Sequence, residues 1–178
     1  MGSFYSNVVV FGAAEAAVIG ACRAPAFVAG ADEIVTVFEK GDDDGSDPIN
    51  GRLSAALGCV TLHVSVHDSE LFSYSVYVRG DLVASGVIPD PAQYFGEEFG
   101  FHPKIEPADP ARLVAALGRG DVDDVAAAFE HDFVFAEERH GAMLVALGLP
   151  TTSSGLGYHY LRKGDVEYQG PPLRHVDD

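Results

Sequence analysis

The sequence predicts an α+β fold: a mixed sheet whose middle is an antiparallel meander, with helices packed mainly on one face. Three observations carry that expectation. Residues 60–88 alternate apolar and polar side chains with a period of two over three successive stretches. Residues 110–147 instead space their apolar side chains by three and four. The hydrophobic fraction is 47%, enough for a core, and no composition shift or internal repeat divides the 178 residues, so one domain is expected.

Taken in order, Val8 to Phe11 is a short continuous apolar run, the pattern of a strand covered on both faces. Ala13 to Arg23 reads as an alanine-rich helix that Pro25 stops. Ile34 to Phe38 is rich in β-branched residues and forms a second strand, completing a β-α-β unit unless the connection sets the two strands apart. The polar stretch Gly41 to Pro48 is a surface loop. It leads into a helix over Ile49 to Leu57, with Asp47 as N-cap, Pro48 at the first helical position and Gly58 as the stop.

The meander follows. Val60, Leu62, Val64 and Val66 share one face of a strand, with Thr61, His63 and Ser65 on the other. Phe72, Tyr74, Val76 and Val78 alternate with Ser73, Ser75 and Tyr77, and Arg79-Gly80-Asp81 turns the chain into a strand over Leu82 to Ile88. The segment Pro89 to Pro110 carries five prolines with Tyr94, Phe95, Phe99 and Phe101 between them, a long aromatic loop of the kind that forms a lid or a binding edge. Pro110 opens a helix through Leu117. After Gly120, Asp121 caps a longer one whose stripe runs Val122, Val125, Phe129, Phe133, Ala136, Met143, Leu147. Thr151 to Gly157 reads as a polar loop, Tyr158 to Leu161 as a last strand, and the tail from Gly170 as poorly ordered.

Charge narrows the function classes. Asp plus Glu number 27 against 11 Lys plus Arg, a formal net charge of −16. Such a field repels phosphate backbones and anionic lipid, which argues against nucleic acid and membrane partners, and it favours a basic protein partner. The acidic loop residues Asp42, Asp43 and Asp44 are the first candidates for that contact. No apolar run reaches the ~18 residues that cross a bilayer, and no basic segment precedes the first apolar stretch, so a cytoplasmic location is expected. Cys22 and Cys59 lie among Ala, Leu and Val with no CxxC pair or zinc spacing, and are expected to be reduced core residues.

Candidate chemistry is sparse. Glu137 and His140 stand at i and i+3 on a predicted helix face, the spacing of one half of a carboxylate-bridged metal site. A second such pair is missing, and His140 continues the apolar stripe. No metal and no cofactor are therefore expected. With Arg139, these two residues form the polar group to inspect for ligand binding. His63 and His67 share a strand face but stand ~13 Å apart, too far to bind one ion together. The Asp42–Asp47 stretch lacks the spacing of a calcium loop, and Thr151 to Gly157 lacks the lysine and the following helix of a phosphate-binding loop.

Phe135-Ala136-Glu137-Glu138-Arg139-His140, then Leu147-Gly148-Leu149-Pro150 and Gly155-Leu156-Gly157-Tyr158, resemble stretches of small uncharacterised bacterial cytosolic proteins. The resemblance spans roughly the last third of the chain. It implies a bacterial cytosolic origin and brings no activity with it.

The reading that follows is an acidic cytosolic protein that binds a basic partner without catalysis, as an immunity or antitoxin protein does. The alternative is a small-molecule-binding domain or small enzyme with its pocket near the 89–110 loop and Glu137/His140. A housekeeping protein whose charge confers only solubility is the third possibility. Homodimerisation through an exposed sheet face or edge fits each of them.

Overall fold

Val8, Val9 and Val10 are all buried, so the strand that carries them has no free face. The structure is a computed structural model that describes residues 2–23, 25–31, 33–40, 49–90, 106–164 and 166–177. Its elements are β1 (Tyr5–Phe11), α1 (Glu15–Ala21), β2 (Ala26–Ala31), β3 (Ile34–Glu39), α2 (Ile49–Leu57), β4 (Val60–His67), β5 (Leu71–Val78), β6 (Asp81–Ile88), α3 (Pro110–Leu117), α4 (Val122–Glu130), α5 (Ala136–Ala146), a 3-10 turn (Thr151–Ser153), α6 (Tyr158–Lys163) and β7 (Arg174–Val176). The strands form one seven-stranded sheet in the order β6-β5-β4-β1-β3-β2-β7, so β1 lies at its centre.

The α+β class and the β4–β5–β6 meander are as the alternation predicts. The direction of the N-terminal strands differs. Ala26–Ala31 is an alanine- and glycine-containing segment with little β-propensity, and the sequence gives no strand there. In the fold it pairs along all of β3, from Ala26↔Glu39 to Ala31↔Ile34. This extra strand reverses the chain once more, so β3 meets β1 antiparallel at Val8↔Val37. Every pairing between named strands is antiparallel, and the expected mixed sheet is replaced by an antiparallel one.

Strand alternation splits the core in two. Val9 of β1 faces the same way as Leu62, Val64, Val66, Phe72, Tyr74 and Val76, and this face packs against Leu113 of α3, Val125 and Phe129 of α4, and Met143 and Leu144 of α5. Val8 and Val10 face the other way. There they join Val28, Val35 and Val37 beneath Val18 of α1 and Leu53 of α2. Helices therefore cover both faces. On the second face α2 lies so close to β5 that a Cβ at Gly51 would come within 2.8 Å of the Tyr77 ring, which is why glycine occupies that helical position.

Three further expectations are corrected. The long helix from Asp121 is two, α4 and α5, broken over 131–135. The break lets the Ala136 N–H donate to the Ser69 carbonyl at 2.8 Å, anchoring α5 to the β4–β5 turn. The apolar stripe spans the interruption because both helices rest on the same face of the sheet. Tyr158–Lys163 is a helix, with Tyr158 buried and Arg162 and Lys163 in the last turn, where cations suit the helix dipole. The last strand lies instead in the tail expected to be poorly ordered, where Arg174–Val176 pairs with β2. Cys22 and Cys59 are free, as expected, but half-buried at the margin of the second core. Burial pushes the Cys22 thiol up to about 11.

Among the described residues, no helix is long and apolar enough to cross a membrane. One ion pair fastens the second layer. Arg52 of α2 donates to both Glu39 oxygens at 2.7 and 3.0 Å and to the Ala21 carbonyl at 2.8 Å, while Arg23 N–H donates to Glu39 at 2.9 Å. Glu39 thus joins β3, α2 and the end of α1. Both side chains are nearly buried, so removing one leaves an uncompensated charge. Glu39→Ala is expected to lower unfolding stability in urea by about 3 kcal/mol. Pairing Glu39→Met with Arg52→Met should lose less than either change alone.

Candidate functional site

The polar residues predicted for ligand binding sit at the start of α5. Its first turn is organised by Glu138, whose carboxylate accepts the Phe135 N–H at 3.1 Å and satisfies one of the helix's orphan donors. From there Glu137 and His140 project toward β1 and the β4–β5 turn, one helical turn apart. Arg139 leaves in another direction. Its guanidinium donates to the His131 carbonyl at 2.8 Å and lies 5.7 Å from the centroid of the Phe133 ring. Burial pulls its pKa down, with Asp132 opposing.

His140 is fully buried. Its Nδ1 is hydrogen-bonded to the Tyr5 hydroxyl at 2.9 Å, the donor being set by the ring tautomer, and its ring stacks on Tyr5 with centroids 5.8 Å apart. Burial lowers its pKa to about 3, so the imidazole is neutral at physiological pH. The same burial drives the Tyr5 phenol well above its ordinary value, with the Glu137 charge adding to the effect and the Gly155 backbone and Ser154 side chain opposing it. Glu137 accepts from Ser69 Oγ at 2.8 Å, and Ser154 Oγ donates to the Glu137 carbonyl at 2.9 Å.

Next to this group, Asn7 enters from β1 and donates to the carbonyls of Ser153 and Leu156, each at 3.0 Å. The 151–157 loop is therefore laid against β1. At Gly157 it comes so close that a Cβ would stand 2.8 Å from that of Tyr5. Asn7 Oδ1, Glu137 Oε2, His140 Nε2 and Ser153 Oγ are buried without a hydrogen-bond partner among the described residues. The seam thus keeps polar capacity beyond the bonds that hold it.

Tyr5, Asn7, Ser69 and Ser153 are the members that the sequence reading misses. Asn7 carries the one legible signal, an amide inside an otherwise apolar strand. Ser69 and Ser153 reach the seam only through tertiary packing. Asp42, Asp43 and Asp44 lie outside the described residues, as do residues 91–105 of the aromatic loop. The described ends of that loop border a groove of about 230 Å³ lined by Val87, Ile88, Pro107, Ala108 and Phe129, among others. His63 and His67 lie on one face of β4. His67 packs edge-on against Phe4 at 4.6 Å, and burial lowers the half-buried His63 to about 4. Among the described residues no group of three His, Cys, Asp or Glu side chains is placed to hold a metal ion.

The chain matches no protein family, no curated protein and no solved structure.

The seam makes stability depend on pH in a definite direction. His140 takes up its proton near 6.5 when unfolded and only near 3 when folded. Between those values the unfolded chain binds the extra proton, so the histidine's contribution falls as pH falls, by ~1.4 kcal/mol per unit. Urea unfolding followed from pH 7 to pH 5 should show this loss. His140→Gln should flatten the slope relative to the parent chain, even if it lowers stability at every pH.

Proposed function

We propose that this protein is a cytoplasmic, non-catalytic binding protein that engages a basic protein partner through its acidic surface, in the way an immunity or antitoxin protein does. The observation that carries the reading is where the charge stands. Asp121, Asp123 and Asp124 at the start of α4, Glu130 and Asp132 beyond it, and Glu138 on α5 are all exposed, in a chain of net charge −16. An acidic face of this kind steers basic partners, raises association rates and disfavours acidic competitors. The polar residues nearest to a reactive set are instead engaged within the fold, with His140 neutral and enclosed.

The groove between Ile88, Ala108 and Phe129 favours a second reading, a small-molecule site at the base of the aromatic loop. His140 and Glu137 do not line this groove, so the check is made at a lining residue. Ala126→Asp should abolish ligand binding while the domain stays folded, and unchanged binding would exclude the groove.

The first reading is checked by affinity capture from a native lysate at low and high salt. A stoichiometric basic protein released by salt is expected. Replacing Asp42, Asp43 and Asp44 with Lys should weaken its binding and reduce the salt dependence. Binding that ignores both salt and charge reversal would exclude the acidic-surface mechanism.

A further inference from the structure

Beside the β4–β5 turn, three large apolar side chains stand in solvent. Val134 is 79% exposed, Phe135 53% and Phe4 51%. Val134 and Phe135 line a groove of about 280 Å³ together with Gly2, Ser69 and the carboxylate residues Asp68 and Glu70. Phe4 lies at the same end, two residues from Gly2 and packed on His67. Scattered exposed apolar residues are ordinary, but several gathered around one acidic groove mark a contact surface.

The walls of the groove are held rigid through one residue. Ser69 N–H donates to the Ser3 carbonyl at 3.1 Å, Ser3 N–H donates to Ser69 Oγ at 2.7 Å, Ser69 Oγ donates to Glu137, and Ala136 N–H donates to the Ser69 carbonyl at 2.8 Å. Asp68 and Ser69 hold left-handed backbone conformations, φ 52° and 56°, which these bonds maintain. The N-terminal segment, the turn and the start of α5 therefore form one preorganised surface, and preorganisation lowers the entropic cost of binding. Its charge is negative, since the exposed Asp132 and Glu138 flank the two apolar residues and Arg139 is turned away onto Phe133.

We infer that this groove is the docking site for the basic partner, and that it takes an amphipathic basic segment. An apolar side chain would seat between Val134 and Phe135, with Lys or Arg beside it against Asp68 and the flanking Asp132. The inference rests on the binding reading above and adds the place and the chemistry. Apolar contact supplies affinity at the centre, and the acidic rim supplies steering and selects against acidic sequences.

The test titrates the isotope-labelled full chain with a short peptide of alternating Lys and Leu. Two control peptides have Ser in place of Leu and Glu in place of Lys. Amide shifts are expected to cluster at 67–71 and 132–138, with the Ser peptide binding about tenfold more weakly and the Glu peptide not at all. Val134→Asp and Phe135→Asp, both at exposed positions, should each weaken the Lys–Leu peptide about tenfold. Asp68→Asn, which keeps a side chain that tolerates positive φ, should weaken it less and lower its salt dependence. Glu33→Gln with Asp81→Asn, exposed carboxylates at the opposite end of the sheet, should leave it unchanged. Shifts spread over the other acidic surfaces, or indifference to Phe135→Asp, would overturn the groove and leave the acidic-binding reading standing. Failure of both Lys peptides to bind would overturn the two together.

Discussion

The central strand Tyr5–Phe11 has neighbours on both edges and helices over both faces, and the rest of the molecule is arranged to satisfy it. Its backbone is paired with β3 on one side and β4 on the other. Its valines are shared between two cores. A buried strand can carry polar side chains only where partners meet them, and the two that β1 carries on its α5 side, Tyr5 and Asn7, recruit His140 and the 151–157 loop. Residues more than a hundred positions away are thereby fixed to the first strand. The C-terminal third owes its position to these few polar bonds as much as to its apolar stripe.

A second junction repeats this logic at the edge of the core. Ser69, in a turn of unfavourable backbone geometry, bonds to the N-terminal segment and to the first turn of α5. The interruption between α4 and α5 is what allows α5 to begin against this turn. It also turns Val134 and Phe135 outward. One local break thus serves packing on one side and leaves an apolar surface on the other. The acidic groove at that surface follows from how the chain closes around Ser69.

Charge and burial are strongly separated here. Buried ionisable groups are neutralised by their surroundings, as with His140, or paired, as with Glu39 and Arg52. The excess of carboxylates stands outside. A molecule built this way places its capacity for electrostatic recognition on its surface and uses its interior polar groups to define a single packing arrangement.

By itself the sequence determined the α+β class, the meander, and the helices at Ile49–Leu57 and Pro110–Leu117, because period and the punctuating Gly58 and Pro110 are local signals that tertiary contacts here reinforce. The predicted cap Asp47-Pro48 lies outside the described residues. It also determined the acidic balance. Tertiary structure alone decided that Ala26–Ala31 is a strand, since its weak propensity is overridden by pairing with β3 along its whole length. It decided that Tyr158–Lys163 is a helix and the tail a strand, because β2 offers its edge to only one of them. The candidate site was legible only in part. Glu137 and His140 share a helix face in the sequence, but the seam they enter is closed by Tyr5, Asn7, Ser69 and Ser153, which come from distant segments. Patterns of period two or three and a half report which side of an element is buried. They carry no record of which distant residue will meet it there.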